Sequence, residues 1–206
     1  MIGTIAFAAS GAMIAIRKGL DLFGIIMLGT ITAVGGGIIR DVIIGRIPPN
    51  TFVKPVYIIT AILTSSILFL LFYLRPELDG SQGIETYERI LNLFDAIGLG
   101  AFTVLGSGAG INAGYEKYPF LLVFLGVATG IGGGILRDIM AGEIPYVLKK
   151  QIYACASLAG AIFYILLLRI RISDPAAMLG GAFLVLLIRM LASRFDWNLP
   201  VVKKDS

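Results

Sequence analysis

The chain has 206 residues, of which 57% are hydrophobic and 15% charged, with a mean hydropathy of +0.90. Soluble domains carry about 25% charged residues, so the composition indicates an integral membrane protein, and the net charge of +4 resides in loops and span ends. The sequence contains no histidine and one cysteine, Cys155, which excludes an intrachain disulfide, histidine-based catalysis and Cys/His zinc or haem sites.

Seven apolar runs are each predicted to cross the roughly 30 Å hydrocarbon layer as a helix. They occupy residues 2–16, 22–45, 56–74, 91–111, 120–142, 152–168 and 176–192. Short connectors rich in Arg, Lys, Pro, Gly and Asp separate them, and the longest, 75–89, marks the predicted boundary between two halves. The sequence therefore predicts an all-α membrane protein with a single transmembrane domain, 1–206.

The two halves carry the same motif. Residues 28–48 read LGTITAVGGGIIRDVIIGRIP and residues 125–145 read LGVATGIGGGILRDIMAGEIP, with 12 identities in 21 positions. Repeat one covers about 1–74 and repeat two about 91–170, and an extra helix follows at about 175–193. Each repeat holds three spans, an odd number, so the second repeat enters the membrane in the opposite sense, which predicts inverted repeats.

The first and fourth spans share a second pattern, a strip of mostly small residues at four-residue spacing. The strip is Gly3, Phe7, Gly11 and Ala15 in the first span and Gly98, Phe102, Gly106 and Gly110 in the fourth. Four-residue spacing aligns side chains along one side of a helix, so we interpret the strip as a packing surface for neighbouring helices.

Three successive glycines lie within the second span and again within the fifth. The triplets are Gly35, Gly36 and Gly37, and Gly132, Gly133 and Gly134. Each glycine weakens a helix by about 1 kcal/mol relative to alanine, so we expect both helices to break or kink there, with backbone carbonyls lining a cavity. The alternative is that the glycines only let two helices cross closely. Equivalent triplets in both halves favour a permeation or binding site near the membrane midplane.

An Arg-Asp pair follows each triplet, Arg40-Asp41 in the first half and Arg137-Asp138 in the second. Adjacent side chains leave a helix about 100° apart, so we expect the pairs to cross between halves, Arg40 with Asp138 and Arg137 with Asp41. Crossed pairing would neutralise charges that are costly at membrane depth. The alternative is that these charges reach the lipid headgroups.

Other polar residues within the spans are candidates for lining the pathway. They are Thr30, Thr32, Thr60, Thr64, Thr129 and the carboxylate Asp95, which is predicted to stand alone near the start of the fourth span. Hydroxyls are weak, reversible ligands for cations, which suits conduction. An acid within a membrane span indicates a functional site.

Loop charges predict the orientation of the chain. With the N-terminus outside, the cytoplasmic side receives Arg17, Lys18, Arg75, Arg89, Lys149, Lys150, Arg194, Lys203 and Lys204. The outer side then receives only Arg46, Lys54, Lys117, Arg169 and Arg171. The excess of positive charge favours an outside N-terminus and a cytoplasmic C-terminus in the cell membrane.

The segments AFAASGAMIAIRKGLDLFG and GGGIIRDVIIGRIPP, with GGGILRDIMAGEIP in the second half, resemble the prokaryotic branch of the TRIC (trimeric intracellular cation) channel family. The resemblance extends over residues 2–194. It implies seven transmembrane helices in inverted repeats, kinks at the two glycine triplets, a homotrimer with one pore per protomer, and monovalent cation conduction with potassium preferred. Some bacterial relatives resemble small amino-acid transporters, which leaves a glycine carrier as the alternative.

Three function classes are compatible with these residues: a channel, a carrier and an assembly protein. A channel or a carrier uses the same two triplets, whereas an assembly protein would carry no solute. No nucleophile–base pair or metal cluster is visible in the sequence, so we expect no enzymatic activity and no cofactor. The expected partners are further copies of the chain, membrane lipid and permeant potassium or sodium ions, with no nucleic acid.

Overall fold

A computed structural model describes residues 1–75, 84–149, 152–195 and 197, and within these residues the chain is helical with short turns. The helices are α1 (Ile2–Arg17), α2 (Leu22–Ile43), α3 (Asn50–Val53), α4 (Val56–Leu74), α5 (Ile84–Asn112), α6 (Pro119–Met140), α7 (Tyr146–Lys149), α8 (Ile152–Arg169) and α9 (Asp174–Arg194). Most of the predicted boundary between the halves, 76–83, lies outside the described residues. So do Lys150, Lys203 and Lys204.

The predicted all-α membrane architecture is confirmed. Six helices, α2, α4, α5, α6, α8 and α9, are long and apolar enough to cross a membrane. The first predicted span is the shorter helix α1, with 16 residues, of which 12 are buried. Its short length, about 24 Å at 1.5 Å per residue, is compatible with its position because the protein itself surrounds most of it.

Two equivalent three-helix units form the body of the molecule. Helix α1 packs against α2 and α4, and α5 packs in the same way against α6 and α8. The units meet where α1 contacts α5 and where α2 crosses α6, and α9 packs on α5 and α8 outside the repeat. Helices α1 and α5 are therefore central, with the other spans around them.

The repeated small-residue strip packs between helices, as predicted. A side chain on Gly11 would collide with Thr32 Oγ1 of α2, and one on Gly106 would collide with the equivalent Thr129 Oγ1 of α6. The missing side chains let α1 and α5 approach their neighbours at backbone distance, which is how small residues act between membrane helices.

Local sequence signals fix where the crossing helices begin and end. The Asp21 carboxylate accepts a hydrogen bond of 2.8 Å from the Gly24 N–H and begins α2, while α6 begins at Pro119. Both helices end at a glycine in the left-handed region, Gly45 with φ +73° and Gly142 with φ +71°. The short helices α3 and α7 follow, so the two repeats have the same ending as well as the same motif.

Candidate functional site

Helices α2 and α6 cross at their glycine triplets. A side chain on Gly36 would overlap the carbonyl oxygen of Thr129, and one on Gly133 would overlap that of Thr32. Positions 36 and 133, like 32 and 129, are equivalent in the two repeats, so the crossing has approximate two-fold symmetry. The middle glycines thus bring two helix backbones into direct contact.

The first and third glycines of each triplet lie next to side chains of other residues. The third glycine lies beside the arginine of its own motif: a Cβ on Gly37 would lie 3.7 Å from Arg40 Nη2, and a Cβ on Gly134 would lie 3.7 Å from Arg137 Nη2. The first glycine of each triplet faces an apolar side chain of the opposite helix, Leu136 at Gly35 and Ile39 at Gly132. A Cβ on the first glycine of either triplet would therefore crowd a side chain of the opposite helix, whereas a Cβ on Gly37 would make only an ordinary van der Waals contact.

The predicted interruption of the two helices does not occur, and the alternative form of the prediction, a kink within each helix, stays a prediction. Both α2 and α6 continue through their triplets without interruption. The helix penalty of three glycines, about 1 kcal/mol each, is offset by close packing of the two helices and by the need to satisfy backbone groups within the membrane. The carbonyl oxygens of Thr32 and Thr129 face the opposite glycines, so close crossing is the role that the structure gives to the triplets.

The predicted crossed pairing of the Arg-Asp motifs is also wrong, because each pair closes on itself. Arg40 Nε donates to Asp41 Oδ1 at 2.9 Å, and Arg137 Nε donates to Asp138 Oδ1 at 2.8 Å. Adjacent Cβ atoms do point about 100° apart, but the arginine side chain is long enough to fold back over the third glycine and reach the next carboxylate. Asp41 and Asp138 are 1% and 4% exposed, so these acids do not reach the headgroups.

Each motif carboxylate also begins the short helix that follows. Asp41 Oδ2 accepts a hydrogen bond of 2.8 Å from the Asn50 N–H at the start of α3. Asp138 Oδ2 accepts one of 2.6 Å from the Tyr146 N–H at the start of α7. The acid therefore connects the end of a membrane helix to the next turn of chain, a reason for its repetition that the linear sequence does not reveal.

A charge swap between the halves is expected to fail. Asp41→Arg should lower the melting temperature in detergent, and adding Arg137→Asp should lower it further, because Arg137 is paired with other acids. The matched swap within one pair, Arg40→Asp with Asp41→Arg, should be less destabilised than Asp41→Arg alone. Recovery of the wild-type melting temperature in the cross-half double variant would contradict the pairing seen here.

Asp95 is not the lone carboxylate that the sequence predicts. It is 4% exposed and accepts a hydrogen bond of 2.6 Å from Arg137 Nη1, which also donates to Ser10 Oγ at 2.5 Å. Arg189 Nη2 of α9 lies 3.8 Å from the second oxygen, Asp95 Oδ2. The acid on α5 thus joins α1, α6 and α9 in one buried charge cluster at the end of the second motif.

Sequence reasoning missed Arg189 and the aromatic residues around it. The Arg189 guanidinium carbon lies 5.2 Å from the ring centre of Tyr146 and 4.7 Å from that of Tyr153, and Arg189 is 4% exposed. Aromatic rings stabilise a buried cation through their negative faces. A signal was available, because Arg189 interrupts the apolar run 176–192 and charges within membrane spans indicate a site.

The predicted threonines bond to their own helices. Thr32 Oγ1 donates to Leu28 O and Thr129 Oγ1 to Leu125 O, both at 2.6 Å, in equivalent positions. Thr60 and Thr64 likewise donate to carbonyls four residues earlier, whereas Thr30 Oγ1 is buried with no partner among the described residues. The threonines of this set lie outside the described linings of the two cavities below, so their pore-lining role stays a prediction.

Two cavities enter the molecule from opposite ends. Cavity 1, of about 610 Å³, is lined by the C-terminal ends of α1, α6 and α9 and the N-terminal ends of α5 and α8. Cavity 2, of about 490 Å³, takes the other ends of α1, α5, α8 and α9 together with the C-terminal half of α2. The two motifs line different cavities. Arg137 and Asp138 line cavity 1 together with Asp95, and Gly37, Arg40 and Asp41 line cavity 2.

An ion pair at the edge of cavity 1 gives a pH prediction. Lys18 Nζ lies 2.8 Å from Glu143 Oε1, and Arg17 Nη2 lies 3.6 Å from the same oxygen. The hydrogen bond from Lys18 lowers the pKa of the Glu143 carboxyl below its ordinary value. Because the folded-state pKa is the lower one, the pair stabilises the fold at neutral pH, and that contribution is lost as the pH falls through the folded-state pKa.

Melting curves over a pH series test this pair. The wild type should melt above Glu143→Gln at neutral pH by a small margin, since partly exposed pairs contribute about 0.2–1 kcal/mol. The margin should vanish at acid pH, where the wild-type carboxyl is protonated. A difference between the two proteins that does not change with pH would contradict the assignment.

Inverted three-helix units that enclose two opposed cavities define a membrane protein of the channel or transporter class. A UPF0126 membrane protein of Deinococcus radiodurans is 40% identical over 203 residues, covering 98% of this chain and 89% of that protein. The UPF0126 inner membrane protein YadS of Escherichia coli strain K12 is 35% identical over 206 residues, covering 100% and 95%. The relatives are named as membrane proteins, so the chain is a membrane protein by similarity as well as by composition.

The chain also matches a family model and solved channel structures. A family model described as glycine transporter matches residues 1–73 and 92–169. A solved TRIC cation channel has a TM-score of 0.84 at 34% identity, covering 100% of this chain and 96% of that one. The TRIC trimeric intracellular cation channel orthologue from Rhodobacter sphaeroides has a TM-score of 0.85 at 31% identity, covering 95% of each. This chain belongs to the glycine transporter family and shares the fold of the prokaryotic TRIC channels, which are not enzymes.

Proposed function

We propose that this protein conducts monovalent cations, with potassium preferred over sodium, through a separate pathway in each protomer of a homotrimer. The observation that carries the proposal is the pair of opposed cavities, which use opposite ends of α1, α5, α8 and α9 and approach each other beside the crossing of α2 and α6. Similarity over nearly the whole chain to solved cation channels that are named as trimeric supports both the ion and the assembly.

The charges beside the cavities are compatible with the passage of a cation because the motif arginines are paired with acids. In each motif the arginine is bonded to the neighbouring carboxylate, so its positive charge is compensated and opposes a cation less. We propose that cavity 1 faces the cytoplasm, because Arg17, Arg89 and Lys149 line it, and that the N-terminus is outside. No cofactor is needed, and lipid is a further expected partner.

The carrier alternative has its own support. The family model is described as glycine transporter, and cavity 1 presents both signs of charge, with Asp95 beside Arg137 and Arg189. A small zwitterion needs an acid for its amine and a cation for its carboxylate. Glycine transport through the same two cavities is therefore the second candidate.

Reconstitution of purified protein separates the two candidates. In a planar bilayer under a potassium gradient, a channel gives unitary currents of picoampere size that reverse near the potassium equilibrium potential. A carrier gives no unitary currents, but it accumulates labelled glycine in proteoliposomes with saturating kinetics. Liposomes without protein and protein heated before reconstitution provide the controls. Silence in both assays would overturn both proposals.

A further inference from the structure

The partition between the two cavities is thin. On α5, Asp95 lines cavity 1 and Phe102 lines cavity 2, and seven residues correspond to about 10 Å along a helix axis. On α1, Thr4 lines cavity 2 and Ile14 lines cavity 1. The cavities are thus separated by about two helical turns of α5 and nearly three of α1.

Phe7 fills this partition. It lies on α1 one turn from Thr4 and one turn from Ser10, is 0% exposed, and belongs to an apolar cluster with Ala8, Ala33 and Ala61. Its ring packs directly on Gly98 of α5, where a side chain would overlap the ring carbons. On the other side, the position of a Cβ on Gly133 is 3.1 Å from the ring. Glycines of α5 and α6 therefore form the two sides of the slot that holds this ring.

Phe102 is the equivalent residue of the second repeat, but its environment differs. The two rings meet edge to face, with centres 5.1 Å apart and planes at 64°. Phe102 is only partly buried and faces cavity 2, whereas Phe7 is completely enclosed. Its glycine counterpart, Gly3, is also less tight, since a Cβ there would lie 3.1 Å from Ala101 Cβ. The approximate symmetry is therefore broken so that one ring, Phe7, closes the partition.

We propose that Phe7 is the barrier that controls passage between the cavities, and that its ring packs on Gly98 in the closed state. The inference rests on the proposed pathway within each protomer. An apolar constriction excludes water and offers no polar atoms to replace it. An ion or zwitterion would lose its hydration shell there without compensation, so it does not pass. Rotation of one side chain off Gly98 is a small movement that joins the polar groups on either side, Thr4 towards cavity 2 and the Ser10–Arg137 pair towards cavity 1.

The test measures passive flux through the wild type and two variants. Phe7→Ala removes the ring, and Gly98→Ala displaces it while keeping its chemistry, so a folding defect in one variant leaves the other informative. Each protein is recorded in planar bilayers under a potassium gradient and assayed for flux of labelled glycine down its gradient. We expect Phe7→Ala and Gly98→Ala each to raise open probability or passive flux about tenfold, since both remove the well-packed closed state.

One control matches the loss of a ring. Phe183→Ala removes a phenylalanine that is 63% exposed on α9. It should stay within about twofold of the wild type, as surface changes do. A wild type that carries potassium or glycine while both Phe7→Ala and Gly98→Ala stay within that range would overturn the inference and leave the pathway standing. If wild type and variants carry neither solute, the proposed function fails and the inference fails with it.

Discussion

Replacement of Asp95 by alanine is expected to lower the free energy of unfolding by about 3–5 kcal/mol. The carboxylate accepts from Arg137 Nη1 at 2.6 Å and lies 3.8 Å from Arg189 Nη2, and both arginines are nearly inaccessible. Without Asp95, Arg137 retains Asp138 as a partner, whereas the buried Arg189 loses this ion pair and retains its contacts with the rings of Tyr146 and Tyr153. The change is measured by heat or denaturant unfolding of purified protein in detergent, followed by circular dichroism.

A control variant and a double variant are compared with Asp95→Ala. Glu116→Ala removes a carboxylate from the exposed turn between α5 and α6 and should change stability by no more than about 0.5 kcal/mol. The double variant Asp95→Leu with Arg137→Met removes both members of one pair and should lose less than the sum of its single variants, because each single variant leaves the other member of that pair without this partner. An Asp95→Ala protein as stable as Glu116→Ala would refute the buried cluster.

The spans and the repeat could be predicted from the sequence because both depend on local information. Apolar length sets which segments cross the membrane, and 12 identities in 21 positions establish the two halves without any contact being known. The packing role of Gly11 and Gly106 also followed from spacing alone. These features need only the order of residues along one helix.

The Arg-Asp pairing could not be obtained in the same way. The direction of a Cβ does not give the position of the charge, because an arginine carries its guanidinium several bonds away from the helix. Arg40 folds back over Gly37 and Arg137 over Gly134, so the neighbouring acid becomes the nearest partner of each arginine.

The charge cluster depends on long-range contacts that no spacing rule describes. Asp95 and Arg137 are 42 residues apart, and Arg189 belongs to the helix outside the repeat. Single charges, Asp95 and Arg189, lie in two of the apolar spans and the Arg137-Asp138 pair lies in a third, and buried charges must be paired. The existence of partners was therefore predictable, whereas their identity required the packing of α5, α6 and α9.

The strongest test of the crossing is the middle glycine of each triplet. Gly36→Ala and Gly133→Ala should each lower the free energy of unfolding by about 1–3 kcal/mol, because a methyl group would meet the backbone carbonyl of Thr129 or Thr32. A carbonyl that belongs to a continuous helix cannot turn aside as a side chain can, so α2 and α6 must separate. The measurement is again unfolding in detergent, with each variant compared to wild type.

The third glycine supplies a control one residue away. At Gly37 the nearest neighbour of an added Cβ is Arg40 Nη2 at 3.7 Å, an ordinary van der Waals contact, so Gly37→Ala should be neutral or stabilising by up to about 1 kcal/mol through helix propensity. Opposite signs at adjacent positions cannot come from propensity, which favours alanine at both. If Gly36→Ala and Gly133→Ala are as stable as Gly37→Ala, the backbones do not touch at the triplets and the crossing described here is wrong. If they alone are destabilised, the middle glycine of each triplet is required by the contact between the two helices and not by flexibility.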